Sequence, residues 1–118
     1  MSWWVSLVDD KGIPVQVENF TDGGTYVVGG SVQAELNVTY NYGGILRSVG
    51  IDLHEGAGNI HWRKASECIP MLEAGLAGLP DKQPASDYWL PTPGNVRVVI
   101  QRLLAWAKAN PDATFKVS

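Results

Sequence analysis

The chain has 118 residues, a formal net charge of −3 and a pI near 5.2, with 45% hydrophobic and 18% charged residues. That length fits a single domain over 1–118 with a buried core, and the acidic balance leaves no basic footprint for a nucleic-acid backbone, since Arg47, Arg63 and Lys64 are too few to track phosphates. The single cysteine, Cys68, excludes an internal disulfide and fits a reducing compartment, while no run approaches the length of a membrane span.

Met1-Ser2-Trp3-Trp4 lacks a basic leader region and Asp9-Asp10 interrupts the apolar run, so a cytoplasmic protein is expected. Thirteen glycines, seven prolines and five tryptophans describe a loop-rich fold with aromatic anchors, and the modest charge leaves room for a homo-oligomer interface.

In chain order, 3–8 and 13–17 read as strands joined by Asp9-Asp10-Lys11-Gly12, a tight hairpin with Gly12 free to take positive φ. Pro14 places the second strand on an edge. A loop follows over 18–24, with Asp22-Gly23-Gly24 as its turn, then a short strand over 25–28 broken by Gly29-Gly30.

The strongest period-2 signal covers 32–42. Val32, Ala34, Leu36, Val38, Tyr40 and Tyr42 share one parity; Gln33, Glu35, Asn37, Thr39 and Asn41 share the other. The polar parity is nearly neutral, so Asn37, Thr39 and Asn41 form a row of amides and a hydroxyl able to read a small polar ligand. The alternative is a solvated sheet face. These strands are expected to form an antiparallel meander.

Ile45, Leu46, Val49 and Leu53 suggest a short helix or turn over 45–53, followed by a glycine-rich loop over 55–59. Ser66 can cap a helix to about Leu76, with Ala65, Ile69, Leu72 and Leu76 inward and Pro70 near its first turn. Thr92-Pro93 marks the start of a second helix, striped by Val96, Val99, Ile100, Leu103, Trp106 and Ala107 and stopped by Asn110-Pro111. Ala113, Phe115 and Val117 alternate as a last strand. The sum is α+β: an antiparallel sheet, made of an N-terminal meander plus a C-terminal strand, with two main helices on one face.

The stretches Ala34-Glu-Leu-Asn-Val-Thr-Tyr-Asn-Tyr42, Asp87-Tyr-Trp-Leu-Pro-Thr-Pro-Gly-Asn95 and Leu103-Leu-Ala-Trp-Ala-Lys108 resemble a family of small uncharacterised proteins of bacteria and their phages, over most of the chain from Gly24 to Val117. Members as we know them carry a charged, aromatic helix where this chain has the glycine-rich 45–59. The phage association implies an inhibitor or decoy of host systems, an anti-defence role, with a small polar ligand or a host protein as partner.

Three constellations bear chemistry. Asn37, Thr39 and Asn41 are the first. Tyr88, Trp89, Thr92, Gly94 and Asn95 are the second: two aromatics before a helix N-terminus, whose free N–H groups suit phosphate or carboxylate and whose rings can stack a base. The alternative is that Tyr88 and Trp89 pin a long loop. His54, Glu55, His61 and Asp52 are the third, as metal ligands or an acid–base pair against a solvated loop. Cys68 reads as a buried thiol.

No phosphate loop, nucleophile elbow or dinucleotide fingerprint is present, so a non-enzymatic binding protein without cofactor is expected. A small His- or metal-dependent enzyme and a virion structural or assembly protein are the alternatives. For the first two constellations to meet, the loop 80–92 must wrap a sheet edge or a second subunit must supply the other half.

Overall fold

The computed structural model describes residues 2–20, 31–54, 56 and 59–118. Residues 21–24 of the expected loop, its turn and the strand expected over 25–28 lie outside them, as do Glu55, Ala57 and Gly58 of the glycine-rich loop, whereas 18–20, expected as the start of that loop, are strand.

The fold is α+β. Strands β1 (Ser2–Val8), β2 (Gln16–Phe20), β3 (Ser31–Gln33) and β4 (Glu35–Thr39) are followed by a 3-10 turn at Tyr40–Tyr42. Helices α1 (Gly43–Ser48), α2 (Ala65–Ala77) and α3 (Pro93–Ala109) come next, and β5 (Thr114–Val117) closes the chain. The strands pair antiparallel in two sheets, β4-β1-β5 and β2-β3.

The first hairpin turn forms as expected. Gly12 sits at φ 78°, and the Asp9 carboxylate accepts from the Lys11 and Ile13 amides at 2.9 and 3.0 Å. Beyond the turn, β1 meets the returning chain at Val8 opposite Pro14, with the Val15 amide donating to Leu7 O at 2.9 Å, before that chain diverges as β2. β1 instead pairs along its length with β4 (Trp3 opposite Val38, Val5 opposite Leu36) and with β5 (Val5 opposite Val117, Leu7 opposite Phe115). This register puts Val5, Leu7, Leu36, Val38, Phe115 and Val117 on one face, all buried. They join the buried stripes of α2 and α3 in a single core. Each such side chain contributes about 1.5–3 kcal/mol by leaving water.

The alternation over 32–42 does not produce one long strand. The ladder shifts at Ala34, and at Thr39 the side-chain oxygen accepts from the Asn41 amide (3.2 Å), turning the backbone into the 3-10 turn. Val32 and Tyr40 are therefore exposed despite their apolar parity.

Helix α3 begins at the Thr92 cap, with Thr92 Oγ1 accepting from the Asn95 amide at 3.2 Å, and every residue of its expected stripe is buried. Helix α2 is rotated from the expected phase. Cys68 and Gly75 face the core, whereas Ile69 and Leu76 are half-buried. Gly75 lets the Ile51 side chain pack close, since a Cβ would lie 2.5 Å from Ile51 Cδ1 and push it aside. Its cap residue is Lys64, and Ala65 and Ser66 donate to the carbonyls of Ala113 and Pro111 at 2.7 and 3.0 Å. Pro70 lies inside the helix, exposed, two residues deeper than a Ser66 cap would place it.

Both outer edges of the β4-β1-β5 sheet are closed by side chains as well as backbone, removing the unpaired N–H and C=O row that invites other strands. On β4, the Tyr88 hydroxyl accepts from the Thr39 amide and donates to the Asn37 carbonyl, each at 2.9 Å. On β5, the Trp62 amide donates to Phe115 O (2.8 Å), Phe115 donates to Arg63 O (2.9 Å), and the Val117 amide donates to His61 Nδ1 (2.9 Å). No helix among the described residues is long and apolar enough to cross a membrane.

Candidate functional site

The loop 80–92 does wrap a sheet edge, and it brings the two expected constellations together. Asn37 and Thr39 are fully buried at the β4 edge under Tyr88. Asn37 Nδ2 donates to Ser2 Oγ at 2.7 Å, Asn41 Nδ2 donates to the Trp89 carbonyl at 3.0 Å, and the Tyr42 hydroxyl donates to the Tyr88 carbonyl. Burial, reinforced by Tyr88 and Asp87, pushes the Tyr42 phenol above its ordinary range. Among buried side-chain atoms, Asn37 Oδ1 is left without a partner.

Asn95 is the hub of the loop. Its Oδ1 accepts from the Ala85 amide at 2.8 Å, and its Nδ2 donates to the Leu90 and Asp87 carbonyls at 2.9 and 3.1 Å, with Tyr88 O at 3.5 Å. The start of α3, expected as an anion site, is met by the chain itself: a Cβ on Gly94 would lie 2.1 Å from the Gln83 carbonyl oxygen. Thr39, Asn41, Tyr88, Thr92 and Asn95 thus direct their hydrogen bonds into this seam, Asn37 Nδ2 bonds Ser2 instead, and Trp89 and Leu90 remain exposed above them.

A cleft opens beside this seam, where the chain turns from β4 into α1. Its volume is about 380 Å³, within the range of small-molecule sites, and its walls include Trp3, Tyr40, Arg47, Asp52, His54 and Ser118. Trp3 and Tyr40 meet edge to face with centroids 4.6 Å apart. Gly43 lets the Arg47 side chain and the Trp3 ring close over α1, since a Cβ there would lie 3.0 Å from Arg47 Nη1 and 3.3 Å from Trp3 Cη2. Arg47 is exposed and makes no ion pair among the described residues.

From His54 a ladder of rings leads away from the cleft. His54 and His61 are 4.7 Å apart at their centroids, and His61 and Trp62 are 4.8 Å apart. Trp62 is 62% exposed and sits at φ 60°, the left-handed region, as no other non-glycine residue does among those described. For a bulky side chain that conformation costs of order 1–3 kcal/mol. The indole, mostly in water, has only the His61 ring among its ring contacts to set against that cost.

Burial first, then His54 and Lys116, hold the His61 pKa below its ordinary value. The neutral ring is also what the Val117 amide requires of Nδ1. The unfolded chain therefore binds this proton more readily than the folded one, and stability rises with pH where the two differ. We expect the contribution to be complete above about pH 6.5 and lost as the pH falls through the lower folded value. Urea melts of wild type and His61→Gln across pH 5–8 check this: the wild-type midpoint should fall with acid more steeply than that of the variant.

His54 and Asp52 share the cleft wall, and His61 lies one ring further out, but no group of three or more His, Cys, Asp or Glu side chains among the described residues is placed to hold a metal. Cys68 is fully buried, and desolvation raises its thiol pKa to about 11, so it is an inert core thiol. Sequence reasoning passed over Trp3, Tyr40 and Arg47 because the cleft is assembled from the first strand, the 3-10 turn, α1 and the last strand. The one local signal was the end of a long alternation running into glycines. No family model matches the chain, and no curated protein or solved structure matches it.

Proposed function

We propose that this protein is a non-enzymatic binding protein for a small polar, nucleotide-like ligand, held in the cleft between Trp3, Tyr40 and Arg47. The observation that carries this reading is the exposed Arg47 guanidinium, unpaired among the described residues, beside an aromatic pair in a cleft of ligand size. A planar guanidinium offers a bidentate fork to phosphate or carboxylate. The Asp52 carboxylate on the same wall suits hydroxyl donors such as those of a ribose.

In this reading Asn37, Thr39, Asn41, Tyr88, Trp89, Thr92, Gly94 and Asn95 brace the wall rather than read the ligand. Together with the resemblance to phage proteins, the ligand class suggests sequestration of a host nucleotide signal, an anti-defence role in the cytoplasm.

Calorimetric titration with adenosine 5′-monophosphate tests the assignment. Wild type should bind, and Arg47→Ala should weaken binding about ten-fold or more, the worth of one charge-assisted contact, with its unfolding midpoint unchanged. Equal affinity in the variant would remove Arg47 from the site.

A further inference from the structure

We infer that His54, His61 and Trp62 form a stacking ledge for the planar ring of the ligand whose anionic group Arg47 holds, which makes the ligand class a nucleobase joined to a phosphate. This rests on the reading of the cleft given above and adds a second, separate contact to it.

Three observations converge on the ledge. The rings adjoin in series, with centroid separations of 4.7 and 4.8 Å and interplanar tilts of 33° and 46°, and the inner end of the series, His54, is itself a wall of the cleft. The outer end, Trp62, is the most exposed of the large hydrophobic side chains described, at 62%. Its backbone is held in the left-handed region by hydrogen bonds on both sides, Trp62 N to Phe115 O at 2.8 Å and Arg63 N to Ile60 O at 3.0 Å.

A glycine or asparagine would occupy that backbone position with less strain. A tryptophan there packs on His61 alone among the ring contacts described and leaves most of its surface in water, at a backbone position it does not ease, so its value lies in what its free face meets. An indole beside two imidazole rings presents π-surface, which suits a flat base recognised by stacking.

The test is calorimetric, with adenosine 5′-monophosphate and ribose 5-phosphate as probes, on wild type, Trp62→Gly and Trp62→Asn. Wild type should bind the nucleotide at least about five-fold more tightly than the sugar phosphate, the lower range for one stacked base. Both variants should lose that difference, keep wild-type affinity for ribose 5-phosphate, and melt no lower than wild type. The asparagine variant keeps a side chain suited to the left-handed backbone, so a folding defect in the glycine variant leaves the test intact. Wild-type affinity for the nucleotide in either folded variant would overturn the ledge while leaving Arg47 and the cleft in place. Failure of wild type to bind either probe would overturn the cleft and the ledge with it.

Discussion

Replacing Gly94 with alanine is expected to destabilise the protein by about 3 kcal/mol, toward the upper end of what overpacking costs. Gly94 is the second residue of α3, where alanine would ordinarily gain up to about 1 kcal/mol over glycine. Here a Cβ would stand 2.1 Å from the Gln83 carbonyl oxygen, 2.7 Å from its carbon and 3.1 Å from Lys82 O. All three are backbone atoms and cannot swing aside as a flexible side-chain tip would, so the loop 80–92 must lift as a unit. Gly44 in α1 is the internal control: it is exposed, and a Cβ there meets nothing within 4 Å. Gly44→Ala should be neutral or slightly stabilising. Thermal melts of the two variants should differ by roughly 10 °C or more, at about 4 °C per kcal/mol for this length. Equal melting points would mean that the loop does not lie against the helix start.

Asn95→Asp is the second large effect, and an isosteric one. Aspartate can still accept from the Ala85 amide but cannot donate to Asp87 O and Leu90 O, and it sets a carboxylate against those oxygens. At a helix N-terminus a carboxylate normally gains about 0.3–1 kcal/mol. Burial at 5% exposure, with the carboxylate set against two carbonyl oxygens and no cation hydrogen-bonded at the site among the described residues, outweighs that gain, even though Asp87 O and Leu90 O keep their bonds from the Leu90 and Thr92 amides. We expect a loss of about 3 kcal/mol at pH 7. The introduced carboxyl should have a raised folded pKa, so the folded variant binds its proton more readily and the deficit narrows as the pH falls toward 4. Urea titrations at pH 7 and pH 4.5 read both effects. A variant within about 0.5 kcal/mol of wild type at pH 7 would show that Asn95 does not hold the loop.

These two residues also show what the sequence made legible. The spacing Thr92-Pro93-Gly94-Asn95 announces a capped helix start, and the cap, the proline and the close approach at Gly94 are all present. The approaching group is the chain's own Gln83 carbonyl, a partner 11 residues away that no local pattern encodes. The hairpin at Asp9 and the alternation of β5 were legible for the same reason: their determinants lie within a few residues of each other.

The polar parity of Asn37 and Thr39 was legible as a pattern, but its fate was not. Alternation tells which side chains share a face and is silent on whether a distant loop covers that face. In α2, Ala65 and Leu72 are buried as expected, but the stripe turns toward Cys68 and Gly75 rather than Ile69 and Leu76, and glycine carries no hydrophobic signal. The cleft was invisible for a related reason. Trp3, Arg47 and Ser118 come from the two ends and the middle of the chain, and only the pairing of β1 with both β4 and β5 brings them together.

The central claim is that ligand is read in the cleft at Arg47 and not at the start of α3, where the sequence alone would place an anion. Amide chemical-shift mapping with ¹⁵N-labelled protein and adenosine 5′-monophosphate separates the two directly. The cleft predicts the largest shifts at Tyr40, Arg47, His54 and Ser118, with Ala85, Asn95 and Val96 unmoved. Largest shifts at Ala85, Asn95 and Val96, with Arg47 still, would contradict it.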